Sequence, residues 1–165
     1  MKNLILCLAA VLASVCSMAQ SKFNLEGNQL LLPSPITFQT GSDVLSPSSE
    51  SALQHIADYL TEKTYISTLR IEVHSDNQGP AEANQNLTEK RSLAVGRWLV
   101  SHGIDCGRFI CVGFGDTKPL ASNASPEGRM QNRRVTVVNA ALRQRAIGGM
   151  PIDGGGKVAG DLCTK

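Results

Sequence analysis

An α/β fold in which two main helices pack on one face of a four-stranded mixed sheet is what this sequence predicts, on three observations. Apolar and polar residues alternate through Leu69, Ile71 and Val73, and again through Ile110, Val112 and Phe114, the period of strands with one buried face. Two other stretches space their apolar residues as a helix does. Arg134 to Asn139, with its three valines, has the strongest β propensity in the chain. The order strand, helix, strand, helix, strand, loop, strand, or βαβαβ(α)β, is that of an α+β sandwich whose right-handed crossovers stack both helices on the same side.

From the start of the chain, Met1 and Lys2 give a basic opening, and Leu4 to Val15 is apolar apart from small residues and one cysteine. Ser17-Met18-Ala19 places small residues where a signal peptidase reads, so residues 1–19 are expected to be a signal peptide cleaved after Ala19. The apolar run falls well short of the roughly 20 residues a membrane-spanning helix needs, and no later stretch is apolar enough to span. Cys16 raises lipid attachment, but Val15 stands before it where that processing needs a small residue.

Residues 20–35 are polar and proline-punctuated, an extended lead-in to a domain over residues 36–140. Ile36-Thr37-Phe38 alternates as a short first strand. Ser46 and Pro47 suit a helix N-cap and first turn, and Leu53, Ile56, Ala57 and Leu60 carry a helix from Pro47 to Lys63. After the Leu69–Val73 strand and the loop Asp76 to Pro80, a second helix runs from Ala81 to His102 on Leu87, Ala94, Val95, Trp98 and Leu99, with Thr88 as an internal cap and Gly103 as the stop. The Ile110–Phe114 strand, a long loop with a short helical turn at Pro126 to Gln131, and the Arg134–Asn139 strand complete the domain. Residues 141–165 contain Gly148, Gly149 and Gly154 to Gly156 and read as a flexible tail.

Charge and cysteine content narrow the function. Without Lys2 the 16 basic residues fall by one, against 14 acidic, so no concentrated basic face recommends nucleic acid as a partner. Cys106, Cys111 and Cys163 remain after cleavage, an odd number in a compartment that permits disulfides, and the sequence leaves open which two, if any, are joined. His55, His74 and His102 are scattered and no metal-ligand spacing occurs, which speaks against an enzyme, a metal site or a cofactor.

Asp76, at a strand end, and Arg91, fifteen residues later in the second helix, are the residues with the most chemistry to offer. A guanidinium fork fits a carboxylate and an aspartate accepts from an ammonium, so together they could clamp a zwitterionic amino-acid head. The alternative is that they pair only with each other or with solvent.

The segments Ile71 to Asn77, Asn84 to Ser92, Gly113 to Pro119 and Glu127 to Val135, in that order and spacing, resemble the motifs of the OmpA-like C-terminal domain family over roughly Ile36 to Val138. The resemblance implies non-covalent binding of peptidoglycan through the diaminopimelate of its stem peptide, with Asp76 taking the ammonium and Arg91 the carboxylate. Asn84 matches a position that hydrogen-bonds the ligand, Arg133 one near the groove, and Thr40 and Ser75 groove-wall positions. Arg129 and Arg134 are expected to be structural, fixing the long loop to the sheet edge. Two departures stand out: Val73 replaces the usual glycine before the histidine, which is expected to narrow the groove or reposition the strand there, and Ser75 replaces a threonine. With neither a preceding β-barrel nor a convincing lipid-attachment cysteine, the chain is expected to be a free periplasmic protein at the cell wall or outer membrane. The rival reading is an envelope assembly module that reuses the fold to hold another envelope protein.

Overall fold

The computed structural model describes residues 22–149 and 151–163, so the expected signal peptide and Cys16 lie outside the described residues. The chain enters through a small hairpin of β1 (Leu25–Glu26) and β2 (Gln29–Leu30). A 3-10 turn, Pro47–Ser49, leads into α1 (Glu50–Glu62), followed by β3 (Ile66–His74) and α2 (Ala81–Ser101). A second 3-10 turn, Cys106–Arg108, runs into β4 (Phe109–Gly115), then come α3 (Pro126–Asn132), β5 (Arg134–Leu142), β6 (Arg145–Ala146) and β7 (Lys157–Val158). The sheet order is β1-β2-β5-β3-β4-β7, with β6 on β5. It is mixed as expected, because β3 lies parallel to β4 across the α2 crossover and antiparallel to β5.

Helix α1 buries the stripe its spacing announces: Leu53, Ile56, Ala57 and Leu60 all enter the core against Leu69, Ile71 and Val137 of the sheet. Helix α2 seats itself differently. Val95 and Leu99 are buried, but Leu87 and Ala94 are only half-buried, and the seam continues through Asn84, Thr88, Ser92 and Gly96. These small residues let α2 lie directly on β4, so closely that a Cβ on Gly113 would come within 2.7 Å of the Glu89 backbone nitrogen. Thr88 is no cap: its hydroxyl donates to the Gln85 carbonyl and accepts from the Gly115 N–H.

Three further expectations need correction. Ile36–Phe38 is not a sheet strand; only Phe38 forms an isolated antiparallel bridge, with Leu45. Its backbone groups bond within the local loop, Thr37 N–H to the Ser49 hydroxyl and Gln39 N–H to the Val44 carbonyl, while β2 takes the place beside β5. Ser46 has extended dihedrals before Pro47, but its side chain makes no capping bond. The segment expected to be a flexible tail instead prolongs β5, turns into β6, and returns along the outer edge of β4 as β7, where Cys163 is joined to Cys106. Cys111 remains free and buried.

Candidate functional site

The parallel strands β3 and β4 end together, Ser75 N–H bonding the Gly115 carbonyl at 2.8 Å, and this carries Asp76 to the rim of the sheet. Asn84, in the first turns of α2, donates to the Asp76 carbonyl at 3.1 Å and fixes the backbone there. The Asp76 carboxylate turns back over its own loop, one oxygen accepting from the Gln78 N–H at 3.0 Å. Its other oxygen accepts from Arg133, at the end of α3, at 2.5 Å.

Arg91 projects from the middle of α2 toward the Phe38–Leu45 loop. Its Nε donates to the Ser42 carbonyl at 2.9 Å, and its guanidinium carbon lies 4.9 Å from the Phe38 ring centroid. Burial pushes its pKa down, the charge of Asp43 opposing and that of Arg133 adding to the fall, yet an arginine so placed stays cationic. Among the described residues no carboxylate forms an ion pair with Arg91, so Asp76 and Arg91 do not neutralise each other.

Both side chains line one open groove of about 600 Å³, together with Thr40, Arg133, Phe38 and Met130. Asn84 and Ser75 are not on its surface. Asn84 is buried as the tie to Asp76, and the Ser75 hydroxyl is buried without a partner. Val73, the departure noted in the sequence, lines the groove and is 1% exposed, its side chain filling space that a glycine would leave. Sequence reasoning missed Phe38, read as a strand residue, and Met130, which had no signal beyond its place in the short helical turn. The Ser42 carbonyl is a backbone atom with no signature in residue type.

Beside the groove runs a buried polar ladder. Burial raises the Glu72 pKa, but bonds from His74, Arg70 and Thr136 and the charge of Arg70 outweigh it and hold the carboxyl at about 2. Burial pushes His74 down despite the Glu72 bond, so the imidazole stays neutral while stacked at 4.8 Å on Phe114. Arg129 donates to the Asn123 carbonyl and Arg134 to the carbonyls of Lys118 and Asn132, so both hold the long loop as expected. Asn132 does more of that work, accepting from the Leu120 and Ala121 N–H groups and donating to the Ala121 carbonyl and the Asn123 side chain.

Nucleophilic chemistry finds no support here. Burial pushes the Cys111 thiol up to about 12, and His55 and His102 are engaged elsewhere, against Phe23 and Trp98. Among the described residues no cluster of His, Cys, Asp or Glu could hold a metal ion, and no helix is long and apolar enough to cross a membrane.

Comparison with known proteins agrees with this architecture. The OmpA family pattern matches residues 37–133. The probable lipoprotein YiaD of Escherichia coli is 32% identical over 115 residues, covering 68% of this chain and 51% of that protein. The peptidoglycan-binding protein ArfA of Mycobacterium bovis is 36% identical over 104 residues, covering 63% of this chain and 32% of that one. The chain therefore corresponds to about half the length of the first and a third of the second. Among solved structures, the peptidoglycan-associated lipoprotein from Burkholderia pseudomallei superposes with a TM-score of 0.57 at 29% identity, over 62% of this chain and 86% of that one. With the family pattern spanning more than half of its residues, the chain belongs to the OmpA family.

Proposed function

We propose that this chain is an exported cell-wall-binding module that holds peptidoglycan non-covalently by the zwitterionic end of diaminopimelate in the stem peptide. As a member of the OmpA family it is a structural binding protein, not an enzyme. The observation that carries the reading is the placement of Asp76 and Arg91 on one groove without an ion pair between them. The ligand's ammonium goes to the Asp76 carboxylate, which has lone pairs left after the bonds from Gln78 and Arg133. The ligand's carboxylate goes to the terminal nitrogens of Arg91, whose Nε is already fixed on Ser42. Arg133 and Arg134 add positive potential to the same wall, favouring a ligand with an extra carboxylate. Relatives named for peptidoglycan binding and outer-membrane lipoproteins support a place at the wall or outer membrane.

Co-sedimentation of the mature protein with purified sacculi tests this. The wild-type chain should pellet with sacculi, and Asp76→Ala and Arg91→Ala should stay largely in the supernatant while keeping the native circular dichroism. Pelleting of all three alike rules out this site. Failure of the wild type to pellet, with capture of a specific envelope protein instead, would favour the assembly role.

A further inference from the structure

The segment after β6 lies outside the residues matched by the family pattern, and it wraps β4 on three sides. On the outer face of the sheet, the Ile152 carbonyl accepts from Arg70 at 2.8 Å and the Gly154 carbonyl from Lys118 at 2.7 Å. Gly156 follows so closely against that face that a Cβ there would stand 2.4 Å from Val112 and 2.7 Å from Phe114. At the edge, Val158 and Lys157 pair with Val112 and Gly113, the Ala159 N–H bonds the Cys111 carbonyl at 2.9 Å, and Lys157 reaches Glu89. The chain then turns to the helix side. Leu162, Cys111 and Phe109 converge there on the bare Cα of Gly96, where a Cβ would meet all three within 3.0 Å. Cys163 finally joins Cys106, in the turn that immediately precedes β4.

Among the described residues the Cys106–Cys163 bond is the one covalent cross-link of the wrapping, and the contacts along the β4 edge are short or exposed. The pairing is two residues long, too short to sustain itself as a strand. Lys157 is 62% exposed in its ion pair, which such exposure makes weak. Gly148, Gly149, Gly154 and Gly155 all have positive φ, so the approach to the strap and its first turn are built from residues that lose the most freedom on ordering. Opening it would leave the outer backbone groups of Cys111 to Gly113 unpaired, an open sheet edge.

We propose that residues Ile152–Cys163 form a disulfide-latched strap over β4, released when a dithiol reductant splits the Cys106–Cys163 bond. In that step the reductant's two thiols become a disulfide while Cys106 and Cys163 each gain a hydrogen, two electrons and two protons passing to the protein. Release lifts Leu162 from Cys111 and uncovers the edge, while the rest of the domain stays folded, because the buried members of the helix–sheet core all lie between Phe23 and Val137 and the strap adds Ala159 and Leu162 at their margin.

Cys111 is a built-in reporter. In residues 20–165 it is the one free thiol of the oxidised protein, and it is also the one thiol left in a Cys106→Ser/Cys163→Ser double variant. The mature chain in both forms is treated with N-ethylmaleimide at neutral pH, and amide hydrogen exchange is followed in parallel. The double variant should be alkylated about tenfold faster or more. Protection should be lost at Val112, Gly113 and Ala159 but retained at Ile71 and Leu99. Wild-type protein reduced with dithiothreitol should show the same exchange pattern. Equal alkylation rates would overturn the proposal, as would exchange that stays protected at Val112 after reduction. Loss of protection throughout the core in the reduced wild type would also overturn it, by making the bond part of the global fold and not a local latch.

Discussion

Arg133 donates to the Asp76 carboxylate at 2.5 Å, joining the end of α3 to the end of β3 across a separation of 57 residues and forming one wall of the groove. Asp76 is almost buried while the Arg133 side chain is 49% exposed, and this asymmetry ranks the two in binding. In the proposed binding mode, truncating Asp76 or Arg91 removes a charge-assisted partner of the ligand and should weaken affinity for a diaminopimelate-containing muropeptide by about 1.5–3 kcal/mol. Arg133→Ala, acting from half in solvent, should cost less than about 1 kcal/mol, with a shallower salt dependence than wild type. Titration calorimetry at two salt concentrations measures both, and an Arg133 effect equal to that of Asp76 would contradict the ranking.

Asn132 is fully buried and holds the loop after β4 through four hydrogen bonds. Asn132→Ala strands two backbone N–H groups and a carbonyl, so it should destabilise the domain by at least about 2 kcal/mol. Urea denaturation checks this. Arg129→Ala, which removes a single half-buried donor from the Asn123 carbonyl, should cost less than the Asn132 change.

Acid should destabilise the protein in two stages with the same sign. His74 has its folded pKa lowered from 6.5, so its contribution is complete above 6.5 and is lost as pH falls through the lowered value. Glu72 is lowered from 4.5 to about 2, so its contribution is complete above 4.5 and fades between there and about 2. With the Glu72 side chain only 13% exposed, that shift corresponds to the order of 3 kcal/mol at neutral pH. Thermal melts over this range should show Tm falling with pH in the wild type, and a flatter profile below 4.5 in Glu72→Gln.

How much of this was legible in the sequence depends on where each ordering force originates. Helix α1 could be read because Leu53, Ile56, Ala57 and Leu60 are both apolar and buried. The seam of α2 could not, since Thr88 lies close against Gly113 and Gly96 against Cys111 and Phe109, and residues this small or polar carry little hydrophobic signal. The C-terminal strap has the composition of a disordered tail, and what orders it is remote in sequence: Cys106 from Cys163 by 57 residues, Arg70 from Ile152 by 82. At the groove, motif order singled out Asp76 and Arg91. The Arg133 ion pair, the Ser42 carbonyl and the Phe38 ring depend on the three-dimensional path of two loops.

The most direct measurement is the affinity of the mature protein for two otherwise identical muropeptides, one with diaminopimelate and one with lysine, which lacks the second carboxylate. The wild type should prefer diaminopimelate by about tenfold or more, the contribution of a charge-assisted bond to Arg91, and Arg91→Ala should abolish the preference. Equal affinity for the two ligands in the wild type, or a preference that survives Arg91→Ala, would contradict the account.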